Sequence, residues 1–387
     1  MLYRDFGRTG EKVSVLGFGC MRLPVIGGRR ERIDVPLATD MLHYAIDNGV
    51  NYVDTAFPYH AASFDDTPGT SEAFVGDALA GVYRDKVLLA TKLPGWVVKS
   101  RADMDKILAG QLQRLRSDHI DCYLVHGVNA GSWSKLVDQG VLGFLDAART
   151  DGRIRYAGFS YHDDPPAFAP VVDAYDWDFC QIQYNYMDVD YQAGIAGLEY
   201  AADRGLAVIV MEPLKGGRLA GRAPAAVQAL WDTAPVRRTP AEWALRFVWD
   251  EGRVSLLLSG MSAMDQVVSN VKVARDGLSG SLTAEELGLI DQVREAFRAR
   301  IAVDCTNCGY CLPCPSEIDI PLVLSCLNDA SLFDDPAGEK AQYKIEVELG
   351  HTTRASECTE CGQCEEACPQ QIQVIEELAK AVRMFES

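Results

Sequence analysis

Eight apolar runs constrain this chain more than any other feature: Val15–Gly19, Tyr52–Asp54, Val87–Lys92, Ile120–His126, Ile154–Phe159, Phe179–Gln183, Ala207–Met211 and Val254–Leu258. Each is followed by a segment with helical apolar spacing, namely Leu37–Asn48, Ser71–Val82, Met104–Leu115, Leu142–Thr150, Phe168–Ala174, Tyr191–Arg204, Ala241–Trp249 and Met264–Ala274. A strand that is apolar on both faces must be covered on both, and parallel strands flanked by helices satisfy that need. Eight such units predict an α/β fold, a (β/α)8 TIM barrel. A doubly wound open sheet is the alternative this pattern leaves open.

A hairpin, Tyr3–Phe6 turning at Arg8-Thr9-Gly10 into Lys12–Ser14, precedes the first run. Gly17-x-Gly19 lacks the third glycine and the opening helix of a dinucleotide fingerprint, so it reads as close backbone packing in a barrel strand. Helical patterns at Pro224–Trp231 and Thr283–Arg300 are extra to the alternation, the second opening with a Thr283/Glu286 capping box. The second leads straight to Cys305. The expected domains are therefore a barrel of residues 1–300 and a C-terminal module of 301–387, mainly helical, with a helix over Pro321–Ala330.

The 387-residue chain carries a formal charge of −18. From Ile301 onward there are 16 acidic and 5 basic residues, so most of that charge sits in the tail. Such a balance disfavours nucleic acid and anionic membrane surfaces as partners. It fits either a solubilising surface or a footprint for a basic redox partner protein. The opening residues are charged with no apolar run behind them, which argues against a signal peptide, and no stretch is long enough for a membrane span. Twelve cysteines without a secretion signal point to metal ligands in a reducing cytoplasm.

Asp54, Tyr59, Lys92 and His126 all fall at or just past the C-terminal ends of predicted strands, the face on which barrels build active sites. A free tyrosine has a pKa of about 10 and is a poor acid at neutral pH. An adjacent ammonium, Lys92, is expected to lower it. Asp54 would pair with that buried lysine, and His126 would hydrogen-bond a carbonyl oxygen. The set suits protonation of an oxygen whose carbon is receiving hydride.

Asp54-x4-Tyr59, Lys92 and His126 resemble the aldo-keto reductase tetrad. The resemblance extends over residues 1 to 300 and includes Phe6-Gly7-Arg8-Thr9-Gly10, Gly17-Phe18-Gly19, Gly158-Phe159-Ser160 and Gln181-Ile182-Gln183-Tyr184-Asn185. It implies Tyr59 as general acid, tuned by Lys92 and Asp54, with His126 orienting a small carbonyl or alcohol substrate. It also implies NADH or NADPH across the barrel mouth. Ser160 and Gln181 would hold the carboxamide, and Leu214, Gly216 and Gly217 would approach the pyrophosphate. The segment containing Ser259, Gln266 and Asn270 would hold the adenosine end. The chain departs from the family in having Met211 where an aromatic residue usually faces the nicotinamide, and Tyr161 where an amide usually follows the serine. Gly260 and Gln266 stand where NADPH users carry cations, so either NADH is preferred or an arginine such as Arg218 or Arg222 substitutes.

The tail carries Cys305-x2-Cys308-x2-Cys311-x2-Cys314-Pro and Cys358-x2-Cys361-x2-Cys364-x3-Cys368-Pro. The second is the bacterial ferredoxin pattern and the first is one residue shorter before its fourth cysteine. Eight thiolates suit two [4Fe–4S] clusters; zinc is the competing reading of paired C-x2-C. In two-cluster ferredoxins the fourth cysteine of each run ligates the other cluster. The expected sets are thus Cys305, Cys308, Cys311 with Cys368, and Cys358, Cys361, Cys364 with Cys314. Cys20, Cys122, Cys180 and Cys326 lie in apolar stretches and read as packing residues.

These features favour an oxidoreductase whose clusters transfer electrons. Cubanes pass single electrons whereas a nicotinamide passes a hydride, so a flavin in the barrel is an alternative. A redox-regulated binding module with structural or sensory clusters is another.

Overall fold

The computed structural model describes residues 1–62, 67–163, 165–221, 223–305, 309–368 and 370–387. The chain divides into two compact units, Met1–Gly221 with Arg238–Thr283, and Arg222–Arg237 with Ala284–Ser387.

In the first unit β1 (Tyr3–Asp5) and β2 (Lys12–Ser14) form the expected antiparallel hairpin, with Tyr3 opposite Ser14. Eight more strands follow: β3 (Leu16–Gly19), β4 (Tyr52–Asp54), β5 (Leu88–Pro94), β6 (Ile120–Val128), β7 (Ile154–Tyr161), β8 (Phe179–Gln183), β9 (Ala207–Met211) and β10 (Val254–Gly260). They pair in parallel in chain order, and β10 closes on β3 with Leu257 opposite Leu16. Closure excludes the open-sheet alternative. β5, β6, β7 and β10 each run two residues past their expected ends, because the ladder continues there, with Pro94 opposite His126, Val128 opposite Tyr161 and Gly260 opposite Gly19.

Side chains fill the barrel interior. Phe6, Tyr52, Leu124, Phe179, Ile209 and Leu256 are buried in one cluster. A Cβ on Gly17 would stand 2.8 Å from the side chains of both Leu256 and Leu258, which is the close packing expected of Gly17-x-Gly19. A Cβ on Gly158 would stand 2.6 Å from the Phe179 ring. A second, larger core lies between the strands and the helices around them.

The second unit contains helices Ala225–Trp231, Ala284–Arg298, Ile320–Phe333, Pro336–Glu348 and Val374–Ala381, with a short turn of helix at Gln363–Ala367. The helix Ala284–Arg298 thus groups with the tail and ends just before the boundary expected at 300. Asp319 accepts a hydrogen bond from the Leu322 N–H and Asp335 one from that of Gly338, each capping a helix with proline in its first turn. Val323, Leu324, Leu327, Tyr343, Leu378 and Phe385 share its core. Cys20, Cys122, Cys180 and Cys326 are buried, as their apolar surroundings suggested. Among the described residues no helix is long and apolar enough to cross a membrane.

Arg4 ties the hairpin to the barrel. Its guanidinium donates to the carbonyls of Glu251 (3.1 Å), Val254 (2.7 Å), Trp249 (2.5 Å) and Gly277 (3.2 Å). Arg4→Ala strips four carbonyls of a charged donor and is expected to destabilise the first unit by about 2–3 kcal/mol. Urea unfolding followed by tryptophan fluorescence reads this; an unchanged midpoint would show that water replaces the guanidinium at little cost.

Candidate functional site

β4 and β5 are neighbours in register, with Asp54 opposite Ala90, so the Asp54 carboxylate and the Lys92 ammonium reach each other at their C-terminal ends. Lys92 Nζ lies 2.7 Å from both Asp54 oxygens, 2.9 Å from the Thr55 carbonyl and 3.2 Å from the Tyr59 hydroxyl. Lys92 is fully buried and Asp54 nearly so, while Tyr59 is half-buried. His126 stands across from Tyr59, ring centroids 6.2 Å apart and near-perpendicular. The four expected residues are therefore brought to one place.

A network outside the barrel wall holds this arrangement. Fully buried Glu72 accepts from Thr91 Oγ1 (2.6 Å) and Gln111 Nε2 (2.8 Å) and pairs with Arg114 (2.7 Å). Gln111 also donates to the Lys92 carbonyl at 2.9 Å and accepts from Tyr123 at 2.8 Å, which fixes the β5 backbone beneath the ammonium.

Burial works against the Lys92 ammonium, yet Asp54 and Tyr59 outweigh it and hold its pKa above the usual lysine value. For Tyr59 the expectation fails in direction. Lys92 does pull the phenol down, but burial pushes it up more strongly and Asp54 adds to that push, so its pKa lies above the ordinary tyrosine value. Burial, then the charge of Lys92 and the proximity of His162, hold His126 well below the imidazole range, so its ring is neutral at pH 7. Its Nδ1 is buried with no hydrogen-bond partner.

The carboxamide candidates sit on adjacent strands, with Ser160 of β7 opposite Gln181 of β8. Ser160 Oγ accepts from the Gly127 N–H at 2.8 Å, leaving its own O–H to donate. Gln181 Oε1 is buried without a partner, and Nε2 lies 3.6 Å from Met211 Sδ. A free acceptor beside an available donor complements a carboxamide, so these residues fit the nicotinamide end. Asn270 donates to Ser259 Oγ at 3.1 Å, and Gln266 Oε1 accepts from the Ser262 N–H at 2.9 Å. Leu214 and Gly216 border a pocket with Ser259 and Gly260.

Sequence reasoning passed over three residues at this face. Trp96, half exposed just past β5, packs on His126 at 5.3 Å between centroids. Arg22 and Glu212 pair at 3.0 Å in the pocket beside Gly216, and the Arg22 side chain lies along Gly260. The acid directly after Met211 at a strand's C-terminal end was a readable signal. Arg22 carried none, since its relevance depends on a partner 190 residues away. Arg218, one of the two candidate substitute cations, follows the same loop, and the other, Arg222, lies outside the described residues.

In the second unit Cys314, Cys358, Cys361 and Cys364 line one cavity, and Cys305 and Cys368 line a neighbouring one; Cys311 borders both. Cys308 lies outside the described residues. The Glu360 N–H points at Cys358 Sγ, 3.4 Å away. Thiols from both runs thus surround two adjacent spaces. Among the described residues no three His, Cys, Asp or Glu side chains converge tightly enough to hold a single ion.

Residues 15–295 match the model of the aldo/keto reductase family, and residues 301–372 match that of the 4Fe-4S dicluster domain. Protein tas of Escherichia coli K12 is 26% identical over 342 residues, covering 74% of this chain and 96% of that protein. L-galactose dehydrogenase of Arabidopsis thaliana is 25% identical over 322 residues, covering 76% and 95%. Among solved structures, the holo form of aldo-keto reductase AKR11C1 from Bacillus halodurans superposes with a TM-score of 0.62 at 26% identity, over 76% of this chain and 96% of that one. With a closed parallel barrel whose residues match the family model over most of the chain, and a 4Fe-4S dicluster domain following it in the sequence, the chain belongs to the aldo/keto reductase family.

Proposed function

We propose that the barrel reduces the carbonyl of a small molecule, or runs the reverse oxidation of an alcohol, with a nicotinamide cofactor, and that residues 301–387 hold two [4Fe–4S] clusters for electron transfer. The observation that carries this reading is the contact from Lys92 Nζ to the Tyr59 hydroxyl at 3.2 Å, within an ammonium already anchored by Asp54. An ammonium only donates, so the Tyr59 oxygen accepts from it and directs its own O–H elsewhere, to a carbonyl oxygen in the mouth. Neutral His126 offers that oxygen a second polar contact and fixes its direction.

The cofactor, when bound, supplies the hydride to the carbonyl carbon. Tyr59 delivers the proton to the oxygen, and Lys92 stabilises the phenolate left behind. Because Tyr59 is half-buried, the phenolate regains its proton from solvent in the mouth. The raised pKa of Tyr59 makes it a weaker acid in the ground state; it transfers its proton only as hydride arrival turns the carbonyl oxygen into a strong base. Ser160 and the unpartnered Gln181 Oε1 support placing the carboxamide at the ends of β7 and β8. The thiol-rich, metal-ligating tail supports a reducing, cytoplasmic setting.

Tyr59→Phe keeps the ring and removes the proton. Carbonyl reduction should fall by about 10²–10⁴-fold with nucleotide affinity nearly unchanged. Retention of most of the activity would remove Tyr59 from the reaction.

Since Tyr59 is shifted upward, its acid form persists as pH rises, and His126 is already neutral. The reduction rate should therefore stay level between about pH 6.5 and 9. A rate that halves across pH 7–8 would mean that another group supplies the proton.

Gly260 and Gln266 offer no cation to a 2′-phosphate, so NADH and NADPH should bind within about 100-fold of each other or with NADH favoured. Titration of both into anaerobic protein measures the ratio.

For the clusters, the proposed sets are Cys305, Cys308, Cys311 with Cys368, and Cys358, Cys361, Cys364 with Cys314. The placement of Cys314 beside Cys358, Cys361 and Cys364, and of Cys368 beside Cys305, supports this crossing. Cys314→Ala should lower iron from about eight to about four per chain, sparing the cluster on Cys305, Cys308 and Cys311. EPR of the reduced variant showing loss of that first-run cluster instead would mean that each run closes its own cube.

A further inference from the structure

The loop Glu212–Gly217 follows β9 into the pocket beside Gly260. Glu212 has a left-handed backbone, φ +53°, and Asn185 Nδ2 holds its carbonyl at 3.0 Å. One carboxylate oxygen accepts from Arg22 Nη2 at 3.0 Å, and the other accepts from the Gly216 N–H. Gly216 has φ +71°, and a Cβ there would stand 3.6 Å from Arg22 Nη2, so the glycine backbone lies against the ion pair. The other cation of this loop, Lys215, is bound to Asp188 at 3.0 and 3.1 Å, and Asp188 also takes Gln183 (2.8 Å) and Asn185 (3.0 Å).

Both cations at this loop are thus neutralised from within, but unequally. Asp188 is held by three side chains and is 12% exposed. The Arg22–Glu212 pair is 39% and 26% exposed, open enough to exchange partners at little cost. Resting on the nicotinamide reading above, we propose that Glu212 is a resident counter-anion. It holds the Arg22 guanidinium and the Gly216 N–H in the arrangement that accepts the pyrophosphate of a dinucleotide, and it must leave for the pyrophosphate to bind. Carboxylate and phosphate compete for the same two donors, one charged and one backbone, and the guanidinium fork suits either. Glu212 thereby sets the affinity of the site, and Arg22 supplies its guanidinium to the pyrophosphate.

The two members of one ion pair then have opposite effects, which a purely structural bridge would not produce. ADP-ribose, which has the pyrophosphate but no nicotinamide, is titrated by calorimetry into anaerobic full-length protein, with NADH in parallel. Glu212→Gln keeps an acceptor for the Gly216 N–H and loses the charge; it should tighten both ligands by about 3–10-fold. Arg22→Gln should weaken both by about tenfold or more. Weaker or unchanged binding in Glu212→Gln, while the unaltered protein binds both ligands, overturns the counter-anion role and leaves the nicotinamide reading standing. If neither the unaltered protein nor Glu212→Gln binds ADP-ribose or NADH, the nicotinamide reading falls and this inference with it.

Discussion

The buried Lys92 ammonium is the constraint around which the barrel mouth is arranged. A fully desolvated charge costs several kcal/mol unless its hydrogen bonds are met. Here both oxygens of Asp54, the Thr55 carbonyl and the Tyr59 hydroxyl surround it. Each contact imposes something on the fold. The Asp54 contact requires β4 beside β5 in the observed register. The Thr55 contact requires the chain to turn directly after β4. The Tyr59 contact brings the following loop back over the barrel. One interaction thereby couples strand order, loop path and the position of the acid.

The same desolvation sets the protonation of the pair. Burial alone would drive Lys92 neutral and Tyr59 further from acidity; their mutual contact opposes both tendencies. On the proposed reaction, the pair acts as a preorganised acceptor for the charge that would appear on Tyr59 after proton transfer rather than as a device that makes a free tyrosine acidic. Preorganised charge of this kind needs no solvent rearrangement at the moment of reaction. Gln111 and Glu72 matter because they fix the backbone and wall behind Lys92, so that the ammonium has nowhere else to go.

The fold was legible because its strands are apolar on both faces, and the grouping of Asp54, Tyr59, Lys92 and His126 because each stands at or just past the C-terminal end of a strand. Tyr59's pKa was misread because a sequence reveals the neighbouring charge but not the extent of desolvation. The helices Ala130–Asp138 and Pro336–Glu348 escaped notice for a different reason. Each buries few side chains, Trp133 and Leu136 in the first and Glu339 and Tyr343 in the second, so neither shows a broad apolar stripe. Arg22 and Glu212 were invisible as a pair since only barrel closure brings the turn after β3 beside the loop after β9.

The second unit faces a stability problem that the barrel does not. Its core is modest, and Cys305, Cys311, Cys314 and Cys358 themselves pack against it as partly buried members. Thiols brought together at that density without a shared ligand leave weak sulfur contacts where a core needs filled volume. On the proposed crossed ligation each cluster joins the two cysteine runs, which are more than 40 residues apart in sequence, and so closes a long loop twice. Cross-links of long loops constrain the unfolded chain most. Helices Ile320–Phe333 and Pro336–Glu348, which occupy that loop, would then be held in place from both ends by iron, as in other small domains whose binding free energy is their folding free energy. On that argument the clusters serve the architecture of the tail whether or not an electron crosses them, and removal of iron should disorder the second unit before it disturbs the barrel.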